Sequence, residues 1–193
     1  MKKGDKLQPK GHLEVWKVHS NGERELHWSD HNVITSGMGV GLSHFFAASG
    51  GDSILDYQIL NFQVGTSGDT SDYGVSTYKL QSPLGAGEYG AESALLVEQL
   101  TPIENGSVAG SVKYFPRIRF SNIHRVNKTA VRFTLVLDDA TANVSDPINE
   151  IGLFMRNPRG LSSHAPILAA YRPFTPIKKT DSFSLVFLWT LQF

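Results

Sequence analysis

The stretch from residue 183 to residue 193 alternates between two kinds of side chain with great regularity. One set consists of large apolar residues, namely Phe183, Leu185, Phe187, Trp189, Leu191 and Phe193. The other set is smaller or more polar, namely Ser184, Val186, Leu188, Thr190 and Gln192. A period of two places the large set on one face of a β-strand. Burying that face would contribute on the order of 10 kcal/mol as an upper estimate, which predicts a central strand.

A second extended region surrounds the dipeptide Asn21-Gly22. Apolar residues alternate with polar ones on both sides of it in HLEVWKVHSNGERELHW, residues 12–28. Asn-Gly is the dipeptide that best supplies the positive φ angles of a type I′ turn. The pattern therefore predicts a β-hairpin.

Further short apolar runs are typical of strands, and they are residues 57–64, 95–100, 112–120, 131–137, 148–155 and 167–171. Pro116 cannot donate a ladder hydrogen bond, so its strand is expected at a sheet edge or with a bulge. Residues 65–110 are predicted to be rich in loops, and residues 1–11 to form an extended arm. The whole pattern predicts one mainly β domain over residues 1–193, an antiparallel β-sandwich with one or two short helices.

Three glycines occur in ITSGMGVGLSHFF, residues 34–46. A P-loop needs Lys and then Ser or Thr after its glycines, and a dinucleotide loop needs G-x-G-x-x-G in a βαβ unit. Gly37, Gly39 and Gly41 are spaced G-x-G-x-G and no lysine follows before Lys79, so neither requirement is met. We expect these glycines to form a hinge between a strand and a short helix.

The helix after this hinge should have one apolar face. Leu42, Phe45 and Phe46 fall at i, i+3 and i+4, so they are expected to pack against the sheet. Gly50-Gly51 is expected to end the helix, because glycine readily takes the left-handed conformation.

Composition disfavours several classes of function. The chain has no cysteine, which excludes disulfides, thiolate nucleophiles and cysteine-bound metals. Lys plus Arg and Asp plus Glu both total 18, so a net charge of zero gives no general attraction to nucleic acid or membranes. Neither a G-x-S-x-G elbow nor an H-E-x-x-H pair occurs, and we expect no enzymatic activity and no cofactor. The start MKKGDKLQPKG has no apolar core, and no run of about 18 apolar residues follows, which predicts neither a signal peptide nor a membrane span.

Charged side chains form three groups that could bind a ligand. His27, Asp30 and His31 could hold a metal, but on an extended strand the two histidines would lie about 13 Å apart, so a structural or surface role is favoured unless the chain turns. The acids of GTSGDTSD (65–72) lack the spacing of a calcium loop and favour a solvated turn. A basic cluster favours a solvated strand face or a subunit contact over nucleic acid; it consists of Lys113, Arg117, Arg119, Arg125 and Lys128.

The order of motifs along the chain carries more information than any one of them. Asn-x-Ile-Thr (32–35) leads through glycine into the helix, and a strand ends in Val-Gly-Thr (64–66). Asn-Glu-Ile-Gly-Leu-Phe (149–154), the run LAAYRPFTPIKKT (168–180) and the terminal aromatic strand follow. In this order they resemble structural proteins of tailed bacteriophages from the tail, baseplate or collar, including tail-fibre attachment domains. The resemblance covers residues 30–80 and 145–193.

This resemblance implies a non-enzymatic virion protein, made in the host cytoplasm. Its partners would be other copies of itself and neighbouring tail or baseplate proteins. The residues expected to serve structure and assembly are Glu150, Gly152, Arg172, Pro173, Lys178, Lys179 and Trp189. Pro173 has a fixed φ angle that would hold its segment extended.

Glu150 lies between apolar residues and is expected to be partly buried, which requires a donor or a cation nearby. We hypothesise that it meets Arg172, Lys178 or Lys179, within the fold or across a subunit contact.

The alternative function is a carbohydrate- or receptor-binding β-sandwich. In that case exposed Trp16, Trp28 and the tyrosines of residues 73–90 would form the ligand face, and a host-surface glycan would be the partner.

Overall fold

The computed structural model describes residues 9–47, 53–90, 96–108, 110–156 and 164–193. These residues are mainly β structure, and the predicted antiparallel β-sandwich with one or two short helices is confirmed. The strands are β1 (Lys10–His19), β2 (Arg24–Ile34), β3 (Ile59–Gly65), β4 (Val97–Leu100), β5 (Ile103–Glu104), β6 (Ser107–Val108), β7 (Lys113–Pro116), β8 (Ile123–Asn127), β9 (Ala130–Leu137), β10 (Ile148–Met155), β11 (His164–Ala165), β12 (Ile167–Ile177) and β13 (Phe183–Gln192).

Helical structure in the described residues is short. The α-helices are α1 (Ser36–Phe46) and α2 (Ala86–Tyr89), and 3₁₀ turns occur at Ile54–Tyr57 and Phe120–Asn122. None of the helices in this part of the chain is long and apolar enough to cross a membrane.

Eight strands form one antiparallel sheet in the order β3-β10-β12-β2-β1-β13-β9-β8. The sheet curls, because Phe62 of β3 and Leu135 of β9 lie near opposite edges and yet belong to one buried core. The amide of Ile118 donates to the carbonyl of Leu60 at 2.7 Å, so the segment before β8 lies beside β3. The two ends of the sheet thus face each other across the core, as the layers of a sandwich do.

β13 lies between β1 and β9, as predicted for a central strand. Its large side chains from Phe183 to Leu191 are buried, and the indole of Trp189 donates to the side-chain oxygen of Asn32 at 2.8 Å. Phe193 is the exception, because it follows the last residue of the strand and is 40% exposed.

The predicted hairpin is also confirmed, although its turn differs from the expected type I′. β1 and β2 pair from Gly11 opposite Asn32 to Val18 opposite Arg24, with a bulge after Val15. In this turn only Gly22 has a positive φ angle, and the connection spans four residues rather than two.

The hinge predicted at Gly37, Gly39 and Gly41 is wrong, because all three lie inside α1. A Cβ at Gly37 would clash with the carbonyl oxygen of Leu168 in β12, and one at Gly41 with the sulfur of Met155 in β10. A Cβ at Gly39 would meet nothing within 4 Å. Gly37 and Gly41 lie one turn apart, so they let the helix approach the sheet closely.

The expected packing face of this helix is confirmed for Leu42, which packs against the buried core, and is wrong for Phe45 and Phe46. The buried residues of α1 are Met38 and Gly41, while Leu42 is partly buried and Phe45 and Phe46 are exposed. The helix ends at Phe46, before the predicted end at Gly50-Gly51, which lies outside the described residues.

A second layer covers the outer face of β3, β10 and β12. It consists of the loop 66–84 and the pair β4 and β7, and it forms a separate buried cluster of Leu80, Phe115, Phe154, Leu168 and Tyr171. After the end of β3 at Gly65, the described part of residues 65–110 contains α2 and the short strands β4, β5 and β6. Pro116 ends β7 in a two-stranded sheet, which confirms its predicted edge position. Lys10 and Gly11 of the predicted arm lie in β1, and residues 1–8 lie outside the described residues.

Candidate functional site

Glu150 is fully buried, and its carboxylate accepts three hydrogen bonds. The backbone amides of Gln81 and Ser82 donate to it at 2.9 and 2.8 Å, and the hydroxyl of Tyr171 donates at 2.8 Å. These donors offset the cost of removing the carboxylate from water. Burial and the charge of Glu150 raise the pKa of Tyr171, so the hydroxyl keeps the proton that it donates.

The hypothesis that Glu150 meets a lysine or arginine within the fold is therefore wrong. Arg172 donates instead to Asp30 and Tyr73, and Lys178 donates to the carbonyl of Ser145. A cation from another subunit could not reach Glu150 either, because its side chain has no exposed surface in this fold.

The neighbours of Glu150 complete a contact that holds the loop 66–84 against β10. The side chain of Asn149 donates to the carbonyl of Gly68 at 3.0 Å and accepts from its amide at 2.8 Å. Gly152 lies against Leu80 and Leu168 so closely that a Cβ would be 2.8 and 2.6 Å from them. We call Asn149, Glu150, Gly152 and Tyr171 the strand–loop clamp.

Arg172 ties the same loop to β2, close to where β2 and β12 stop pairing. Its guanidinium lies over the rings of Trp28 and Tyr73, at 5.0 and 5.3 Å from their centres. It donates to Asp30 at 2.6 Å and to the hydroxyl of Tyr73. Because this one side chain of β12 contacts both β2 and the loop, we interpret Arg172 as a structural link within the subunit.

Lys179 is buried and holds the connection between β9 and β10. Its ammonium donates to Asn143 at 3.0 Å and to the carbonyl of Thr180 at 2.8 Å. Burial lowers the pKa of Lys179, and the nearby carboxylates of Asp138, Asp139 and Asp181 oppose that shift.

Pro173 lies opposite Glu150 in the sheet, and Trp189 lies in the core. The predicted assembly residues are thus largely interior, and their role in assembly stays a prediction.

The candidate metal ligands are held by other groups. His27 lies 3.0 Å from the carbonyl of Thr175, His31 lies 3.3 Å from that of Gly11, and Asp30 binds Arg172. Within the described residues, no group of three or more acids and histidines is arranged to hold a metal ion. In the loop 65–72 Asp69 accepts from Ser71, which lowers its pKa and fits the predicted turn.

The aromatic residues of the alternative function do not meet on one surface. Trp16 pairs with Leu26 on the outside of the sheet, whereas Trp28 pairs with buried Val15 and packs towards the core. Arg172 covers Trp28, and Tyr89 is fully buried. The predicted ligand face is therefore not assembled.

An apolar surface that the sequence reasoning did not identify lies on the outside of the principal sheet. We call it the sheet face, and it consists of Trp16, Val18, Leu26, Val136, Val186 and Leu188. In the described structure these side chains belong to neither buried cluster and do not pack against one. Four of them, Trp16, Val18, Val186 and Leu188, line a depression of about 270 Å³. The signal in the sequence was the apolar pair Val186 and Leu188 on the second face of β13.

The charged groups around the sheet face are few. Glu14 accepts a hydrogen bond from the indole of Trp16 at 2.8 Å, which fixes the ring along the strand. Arg24 and Thr134 are the polar residues that line the depression. A mainly apolar surface with a few polar groups is typical of protein–protein contact surfaces.

Comparison of the chain with protein-family models, curated proteins and solved structures found no match.

Proposed function

We propose that this chain is a non-enzymatic structural protein of a phage virion, which assembles through subunit contacts in a tail, baseplate or collar. The order of motifs from Asn149 to the end of β13 supports this proposal. The observation that carries it is the sheet face, because six apolar side chains stand on the outside of the principal sheet. Other copies of the chain and neighbouring tail or baseplate proteins would cover it.

Covering the sheet face would remove apolar surface from water at roughly 25 cal/mol per Å². A monomer would leave Trp16, Val186 and Leu188 in contact with solvent, and apolar patches of this kind often mark contact sites. Repeated contacts between identical copies then build a closed ring or a filament, depending on the rotation between neighbours.

The internal contacts support the same function. The strand–loop clamp and Arg172 connect the loop 66–84 to three strands of the sheet. A surface on such a braced framework loses little freedom when it binds, which lowers the entropic cost of assembly.

The first test is the oligomeric state of the purified chain, measured by light scattering after size exclusion and by native mass spectrometry. We expect the wild-type chain to form oligomers and the variant Val186→Lys to be monomeric, because a lysine there would bring a charge into the contact. Gln192→Lys is the matched control, since it adds the same charge to the exposed end of the same strand and should leave the oligomers intact.

A wild-type chain that stays monomeric, or oligomers that persist in Val186→Lys, would contradict this assignment of the contact. The virion assignment is tested separately by mass spectrometry and imaging of purified phage particles, in which the chain should occur in several copies at the tail or collar. A monomer that binds a glycan, and loses it in Trp16→Ala, would favour the carbohydrate-binding alternative instead.

A further inference from the structure

A second apolar surface lies at the open end of the sandwich, away from the sheet face. It is a groove of about 440 Å³ between α1, the start of β3 and the segment around β8. We call it the end groove, and its walls include Met38, Leu42, Phe45, Phe120, Ile123 and Phe193. All of its lining residues are apolar or aromatic except Gln58.

Apolar side chains extend beyond the groove itself. Phe46 is 81% exposed and its ring lies 5.7 Å from that of Phe45, which lines the groove. Phe120 lines the groove and is 58% exposed, and Ile54, in the same 3₁₀ turn as the lining residue Tyr57, is 55% exposed. A small molecule within the groove would leave Phe46 and Ile54 in water, whereas a polypeptide across it would cover them. The extent of the surface therefore favours a macromolecular occupant.

The edge of the end groove formed by β8 and β9 is positively charged. Arg125 pairs with Val131 and so lies on the groove side of β8, where its guanidinium donates to the carbonyls of Asn127 and Lys128 at 3.2 and 3.4 Å. Neither Arg125 nor Lys128 forms an ion pair within the part of the chain that the structure describes. Along the described segments that line the groove, Asp56 is the one side-chain carboxylate.

We propose that the end groove binds a segment of a different protein that carries apolar side chains next to carboxylates. The apolar side chains would fill the groove, and the carboxylates would meet Arg125 and Lys128 at its edge. A second copy of this chain fits less well, because a two-fold contact would bring the same two cations of each copy together. The proposal uses residues separate from the sheet face, so it can fail or hold independently of the proposed self-assembly.

The test is selection from a library of displayed random peptides of about 12 residues, long enough for ~3 helical turns. The full-length wild-type chain is the bait, and peptides that also bind Phe120→Glu are removed. We expect the enriched peptides to combine Leu, Phe or Ile with Asp or Glu. Their synthetic versions should bind wild type at least about tenfold more tightly than Phe120→Glu or Lys128→Glu.

Controls separate this result from misfolding and from other occupants. Phe120 and Lys128 are exposed, so both variants should keep the circular dichroism spectrum and melting temperature of the wild type. Val108→Glu changes an exposed apolar residue of β6 that is not part of the groove lining, and it should bind the peptides unchanged.

Three outcomes would overturn the proposal. The first is that no peptides remain after those that also bind Phe120→Glu are removed. The second is that the enriched peptides lack Asp and Glu. The third is that another occupant fills the groove, shown either by stoichiometric binding of the fluorescent fatty acid cis-parinaric acid or by wild-type dimers that Phe120→Glu dissociates. If Val186→Lys abolishes self-assembly while peptide binding persists, both surfaces are functional and independent.

Discussion

At the scale of single residues, the chemistry of Glu150 explains why a carboxylate occupies the interior of an apolar strand. Two backbone amides of the loop 66–84 point at the carboxylate, and their hydrogen bonds would otherwise be lost when the loop closes over β10. An acid with two oxygens can accept both amides and the hydroxyl of Tyr171 at once. The buried charge thus holds an irregular loop in one position.

Replacing Glu150 by alanine should therefore destabilise the protein by about 2–4 kcal/mol, because it leaves two amides and a hydroxyl buried without acceptors. Urea unfolding followed by tryptophan fluorescence measures this loss. Glu104→Ala is the control, since Glu104 is partly exposed and its ion pair with Lys79 is long at 3.7 Å, so its cost should stay below about 1 kcal/mol. Equal stabilities of the two variants would refute the role given to Glu150.

The burial of Glu150 could be predicted from the sequence, but its partners could not. Its apolar neighbours Ile148 and Ile151 mark the strand as buried, which is local information. The amides that bind it come from positions 69 and 68 residues earlier in an irregular loop. Backbone donors have no signature in the residue type. The cations that the sequence does show, Arg172, Lys178 and Lys179, make other contacts.

At the scale of elements, α1 shows how tertiary contact overrides helix propensity. Three glycines within six residues disfavour a helix, by roughly 1 kcal/mol each relative to alanine. The close approach of the helix to β12 and β10 compensates, because Gly37 and Gly41 leave room for Leu168 and Met155. Local sequence shows the propensity and not the distance to the sheet, so the prediction began the helix too late and assigned the exposed Phe45 and Phe46 to its packing face.

Alanine substitutions at the three glycines separate packing from propensity. Gly37→Ala should destabilise the protein by about 1–3 kcal/mol, because its Cβ would meet a backbone carbonyl that cannot move aside. Gly41→Ala should cost less, because the end of the Met155 side chain can shift. Gly39→Ala should stabilise by about 0.5–1 kcal/mol, because the site is open and alanine favours the helix. Urea unfolding of the three variants gives the order, and a hinge role would predict a loss at Gly39 as well.

At the scale of the whole molecule, most strands could be predicted and their arrangement could not. The alternation of β13 and of β1 reports which face of each strand is buried. The order of strands depends on pairings between distant segments, such as β2 with β12 and β1 with β13. The curling of the sheet also leaves the sheet face and the end groove uncovered, and no local pattern distinguishes an apolar side chain in the core from one at a contact surface.

The position of β13 gives the last prediction. Deleting residues 187–193 would remove buried Phe187, Trp189 and Leu191, worth ~1.5–3 kcal/mol each by burial, and would break the ladders to β1 and β9. Domains are commonly stable by about 5–15 kcal/mol, so the truncated chain should not fold. Deleting Phe193 alone is the control, because its side chain is partly exposed and its amide donates one backbone hydrogen bond to the carbonyl of Thr129. Soluble expression and circular dichroism decide the matter: a folded chain without residues 187–193 would show that β13 is not the central strand on which the two halves of the sheet depend.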